Sequence, residues 1–273
     1  MGYKTILVNL DIDGPVVPLV TAATDLARRF KARLIGFCAA DAPLLVTGVE
    51  GGEMAAEAWQ MMRKDIAHHF EALRDAFEKV VDHKVDAQWR DSLDNPGQGL
   101  AREARSADLI IMNASDGAAT GDAFRACNPG SVVLQAGRPL LIASKGADSL
   151  QANKVTVAWK DTRESRRAVA DAVPLLAIAG EVDIVAVVAA TDSWLRESLS
   201  DVGAFLAAHG IKARTHIVEN THDSDALLSF LRENQTDVVV SGAYGHSRLR
   251  EWVFGGVTRS LIDQTDFHRF LSN

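Results

Sequence analysis

Cysteine is scarce: Cys38 and Cys127 are the only two in 273 residues. Two thiols in different parts of a chain make no disulfide framework, which fits a reducing compartment. Proline stands at 7 and aromatics at 6%, so there is little material for long disordered or proline-rich linkers. No run of some 18 apolar residues is present, which excludes a transmembrane helix. Clusters of Lys and Arg are missing as well. With 29 basic against 36 acidic residues and a net charge of −7, the chain lacks the concentrated positive charge that nucleic acid or an anionic membrane requires. Its opening, MGYKTILVNLD, enters a strand-like segment without the basic, apolar and small-residue regions of a leader. A cytoplasmic protein with neither a nucleic-acid nor a membrane partner is expected.

What is present is a 47% hydrophobic, 24% charged composition, that of a globular protein with a substantial core. The length suits two domains of roughly 130 to 140 residues. Self-similarity supports this division. "KTILVNLDIDGPVVPLVTAATDLARRFKARLIGFCAA" from residue 4 parallels "KVTVAWKDTRESRRAVADAVPLLAIAGEVDIVAVVAA" from residue 154. Each reads as strand, polar turn, amphipathic helix and a second strand ending in Ala-Ala. "DNPGQGLAREARSADLIIMNA" from residue 94 parallels "DSDALLSFLRENQTDVVVSGA", which ends at Ala243. The chain is therefore read as a tandem duplication, domains 1–146 and 152–273, divided in the polar stretch "SKGADSLQANK".

Apolar runs place strands near 4–10, 33–39, 84–90, 108–112 and 139–143, and again near 154–159, 182–189, 212–218, 237–241 and 267–271. Runs such as "ILVNL" and "DVVVS" are nearly continuous, as in strands covered on both faces. Helical spacing between them predicts two doubly wound, parallel-sheet α/β domains. The first half carries an extra element, a helix of about 28 residues with an apolar stripe through Trp59, Ile66, Phe70, Leu73 and Phe77. Core or domain packing is the simpler reading of that stripe, and a ligand lid the alternative.

Glycines gather in "SGAYGHSRLREWVFGGVTRS", residues 241 to 260. Gly242 directly follows a strand, and Gly255-Gly256 open an apolar-periodic helix ahead of Thr258. Backbone without a Cβ can approach a phosphate closely, and helix N-terminal amides favour an anion. An unoccupied tight turn fits the same spacing. Neither a Walker loop nor a G-x-G-x-x-G after the first strand of either half is present, and there is no G-x-S-x-G elbow.

Gly242-x-x-Gly245, nine residues, then Gly255 resembles the nucleotide loop of the universal stress protein family. "GAYGHSRLRE" with "GGVTR" is similar to its bacterial tandem members, "YKTILVNLD" to its first strand, and "RRAVADAVPLL" to the first helix of its second repeat. The resemblance implies a sheet of order 3-2-1-4-5, association through the last strands, and ATP or another adenine nucleotide in many members, with Mg²⁺ only alongside the nucleotide. It implies ligand contacts from Gly242, Gly245, Gly255, Gly256 and Thr258, with Val187 beside the base. It also implies a stress-response protein whose halves pair as an internal pseudo-dimer, with a homodimer of whole chains left open.

This sequence departs from the family pattern in three places. Lys160 stands where the family has its first-strand aspartate, and it could reach a phosphate but cannot accept hydrogen bonds as a carboxylate does. Gly256 replaces a hydroxyl-bearing residue. The first half keeps Asp11 but has Asn113 and Asp116 in place of the paired glycines, with Gly130-Ser131 several residues too far along. At most one nucleotide per chain is expected, in the second half. His68, His69, His216, His222 and His246 show no metal-ligand spacing, and no residue is assigned a catalytic or metal role. His246 as a general base stays a minor alternative. ATP hydrolysis, if any, is expected to be slow; an interaction scaffold without nucleotide and a nucleotide-dependent enzyme are the rival readings.

Overall fold

The computed structural model describes residues 2–43, 52–113, 122–244 and 256–273. In the first half the order is β1 (Thr5–Asn9), α1 (Val17–Phe30), β2 (Arg33–Ala40), α2 (Gly52–Val80), β3 (Ala87–Leu93), α3 (Pro96–Glu103), β4 (Leu109–Asn113), α4 (Pro129–Gln135) and β5 (Leu140–Ala143). The second half runs β6 (Lys154–Ala158), α5 (Arg163–Leu176), β7 (Glu181–Val188), α6 (Ser193–Ala208), β8 (Ala213–Glu219), α7 (Asp223–Glu233), β9 (Val238–Gly242), α8 (Gly256–Asp263) and β10 (His268–Ser272).

All ten strands join one sheet, ordered β3-β2-β1-β4-β5-β10-β9-β6-β7-β8. Each half thus has the order 3-2-1-4-5, the second reversed. Every pairing within a half is parallel. The join between halves is antiparallel, with Arg269 opposite Ile142, Phe270 opposite Leu141 and Leu271 opposite Leu140. Leu109–Met112 and Val238–Ser241 are buried throughout, because helices cover both faces, and this accounts for their unbroken apolar runs.

Local chemistry sets the helix starts. Asn95, Asn128, Thr162 and Asp192 each accept a hydrogen bond from a backbone amide three residues on, and Pro96 and Pro129 occupy first-turn positions where no amide partner is needed. One expectation shifts. Strand β3 lies at 87–93 rather than 84–90, because Val85 is buried in the turn after α2 instead of in the ladder. The cap position of α7 is His222, and Asp223 and Asp225 fall in its first turn, where they complement the helix dipole.

The main apolar cluster crosses the join, combining Ile6, Val8 and Leu26 with Val155, Leu176 and Phe270. Polar bonds cross it too: the Tyr3 hydroxyl donates to the Asp171 carbonyl at 2.8 Å, and Arg29 to the Leu150 carbonyl at 3.1 Å. Arg269 is fully buried there. Its Nη1 donates to the Phe267 carbonyl, while Nε and Nη2 find no partner among the described residues, and burial lowers its guanidinium to about 10. His268, 6% exposed, accepts the Ser144 amide on Nδ1 at 3.0 Å. Burial, with Arg269 beside it, holds the ring down to about 4 against a weaker opposing pull from Asp237.

An imidazole held neutral in the fold protonates freely once the chain unfolds. The unfolded state therefore takes up a proton that the fold refuses between about pH 6.5 and 4, so stability present above 6.5 is lost as pH falls through that window. The expected loss is on the order of 2–3 kcal/mol. His268→Asn, which retains an acceptor for the Ser144 amide, is expected to remove most of that slope in urea titrations at stepped pH.

Candidate functional site

Strand β6 is followed through α5 by β7 on one side, while β9 lies on its other side. Strand order reverses between β6 and β9, and in an open parallel sheet a crevice forms beyond the carboxyl ends at that point. A cavity of about 680 Å³ occupies it. Ala158, Val185 and Val187 supply an apolar floor from β6 and β7, and Leu227 adds an apolar wall from α7. Because each helix here follows a parallel strand, the helix N-termini converge on the same opening. The start of α5 contributes Thr162, Glu164 and Ser165, α7 contributes Asp223 and Asp225, and α8 contributes Gly256 and Thr258.

Of the residues singled out by sequence, Gly242, Gly256, Thr258, Val187 and Lys160 line this one cavity. Gly245, Gly255, Asp116 and His246 lie outside the described residues. Gly242 has a reason beyond ligand approach. A Cβ there would sit 2.5 Å from the Ser165 amide nitrogen and 2.6 Å from the Glu164 carbonyl carbon, so the glycine admits the first turn of α5 against β9. Gly256 is different, since a Cβ would meet only Ser224 Oγ at 3.5 Å. Thr258 is buried, with the Tyr244 amide 3.5 Å from its hydroxyl. Lys160 is exposed at the rim. Trp159 is fixed, its amide donating to the Val185 carbonyl at 2.8 Å and its indole N–H to Ser198 Oγ at 3.3 Å.

The start of α7 and Tyr244 were not anticipated as parts of this site. The available signal was topological: any helix that follows a parallel strand begins at the carboxyl end of the sheet. Together the walls offer an apolar slot for a flat ring, carboxylates able to accept from hydroxyls, and an ammonium with helix N-termini able to meet an anion. Among the described residues no group of three or more His, Cys, Asp or Glu could hold a metal.

At the matching position of the first half, polar side chains bond to neighbours within that half. Asp11 accepts from the Cys127 amide at 3.2 Å and from Asn9 Nδ2 at 3.3 Å. Burial raises its carboxyl, against the lowering pull of those two donors. Asn113 donates to the Pro15 carbonyl at 3.3 Å. Tyr244 reaches across from the second half, and a Cβ on Gly130 would collide with its hydroxyl.

No family model matches the sequence, and no curated protein does so significantly. Solved structures do. A universal stress protein from Archaeoglobus fulgidus DSM 4304 aligns over 99% of this chain and 96% of its own, with a TM-score of 0.64 at 16% identity. The fold is that of the universal stress proteins, in tandem form. A provisionally named universal stress protein from Pseudomonas aeruginosa UCBPP-PA14 aligns over 99% of this chain and 93% of its own, with a TM-score of 0.58 at 15% identity. Within this universal stress fold, no helix among the described residues is long and apolar enough to cross a membrane.

The two glycines should respond unequally to a methyl group. Gly242→Ala forces backbone apart and is expected to lower stability by about 1–3 kcal/mol, whereas Gly256→Ala should change it by less than about 0.5 kcal/mol. Urea denaturation of the two variants measures the difference.

Proposed function

We propose that this chain is a tandem universal stress protein, with domains 1–146 and 152–273, that acts in stress response by binding an adenine nucleotide or a ligand of like shape in the second-half cleft. The observation that carries this reading is the coincidence of an apolar slot, converging helix N-termini and Lys160 at the switch point between β6 and β9. In this reading Val187 lies along the base and Asp223 and Asp225 accept from ribose hydroxyls. Lys160, Gly256 and Thr258 meet the phosphates, with Gly245 and Gly255 completing the loop. Mg²⁺ enters only with the nucleotide. One site per chain is supported by the first half, where Asp11 and Asn113 are bonded to neighbours in their own half, and hydrolysis is at most slow. The protein works in the cytoplasm, with the internal pairing of its halves standing where a homodimer would otherwise form.

The rival reading, an interaction scaffold without nucleotide, is favoured by one specific observation. Met54 and Met61, seven residues apart and so on one face of α2, are 77% and 73% exposed.

Titration of purified, ligand-free protein with ATP, ADP and AMP, with and without Mg²⁺, separates the two. Saturable binding is expected, and Lys160→Ala, an exposed change, should weaken ATP at least fivefold and AMP less. Absence of saturable binding by all three contradicts the nucleotide reading.

A further inference from the structure

A second cavity, of about 430 Å³, opens between α5 and α6. That size falls within the range of small-ligand sites. The internal repeat shows that it is not a necessary feature of the fold. In the first half α1 packs against the 29-residue α2, whereas α5 and the 16-residue α6 barely meet. The gap is walled by Trp159, Trp194 and Phe205. Trp194 is 66% and Phe205 40% exposed; both lie on α6, three turns apart, and Phe205 packs edge-on against His209, so Trp194 is the ring left freest to meet a ligand.

Its charge is one-sided. On α6, Trp194, Glu197, Asp201 and Phe205 follow at spacings of three and four residues and so form one stripe along the cleft. Glu197 and Asp201 make no ion pair among the described residues. Arg166 is the one base lining the cavity, and it donates from Nε to Asp161 at 2.8 Å. Arg196, next along the helix, faces Glu219 instead. Aromatic faces beside uncompensated carboxylates attract a cation with apolar substituents through the ring quadrupole and through Coulomb attraction together. An anion would meet repulsion there, and a neutral ring would gain only from burial.

We propose that the cleft between α5 and α6 binds a compact organic cation, an amine or quaternary ammonium bearing an aromatic or branched apolar group, held against Trp194 with Glu197 and Asp201 one and two turns along the same stripe. This site is distinct from the nucleotide-type cleft and does not rest on that reading. Trp159 borders both, but Trp194 lines only this one.

Benzyltrimethylammonium is the probe, with benzyl alcohol as a neutral and benzenesulfonate as an anionic counterpart, each titrated into the full ¹⁵N-labelled chain. The cation should saturate, bind at least tenfold more tightly than either counterpart, and shift the Trp194 and Trp159 indole resonances with one dissociation constant. The double variant E197Q/D201N should weaken the cation at least tenfold, and Trp194→Ala at least fivefold; all three positions are at the surface of α6, and amide spectra report whether the fold is kept. The proposal is overturned by no saturation, by equal binding of benzyl alcohol, or by variants that bind as the parent does. It is overturned equally by shifts at Val187 and Gly242 without Trp194, which would put the cation in the other cleft.

Discussion

Everything distinctive in this molecule depends on the antiparallel pairing of β5 with β10. Two five-stranded sheets meet there through Leu140, Leu141 and Ile142 against Leu271, Phe270 and Arg269, and the pairing removes what would otherwise be two exposed apolar edges. The edges that remain are β3 and β8, and these carry Arg90, Asp91, Arg214 and His216. Beneath β8, Asp183 is fully buried; burial pushes its carboxyl up, but Arg214 and His216 outweigh this and hold it below the ordinary range. Charge at the outer strands and apolar pairing at the inner ones give the sheet a single way to join.

The same join makes the halves unequal. At the seam the second half sends Tyr244, held at a φ of 58°, toward Gly130 of the first, a backbone conformation that few residues other than glycine adopt. In the first half Asn9, Asp11 and Cys127 bond to one another at the end of β1, while the second half carries the cleft between β6 and β9.

Much of this was legible in the residues. Nine of the ten strands lie within about two residues of where β-branched and leucine-rich runs put them, because both-face burial leaves an unmistakable apolar signature. Strand β3 slipped because it is an edge strand, "AQWRDSL", whose polar composition carries little signal, and Val85 next to it is apolar for a different reason. Lys160, Val187, Gly256 and Thr258, singled out through the family resemblance, line one cavity. Gly242 was read for its freedom to approach a ligand, yet its absent Cβ also makes room for Glu164 and Ser165, a long-range contact that no local spacing reveals. The gap between α5 and α6 was likewise hidden, since it arises from a distance between helices rather than from a motif.

If the seam makes the two halves one cooperative unit, native-state amide exchange will show it most directly. The amides of β5 and β10 should then exchange only through global unfolding, with the same opening free energy and denaturant slope as those of the central strands β1 and β6. Exchange of the seam amides through a smaller opening, while β1 and β6 stay protected, would mean that the halves part before they unfold and would contradict the account.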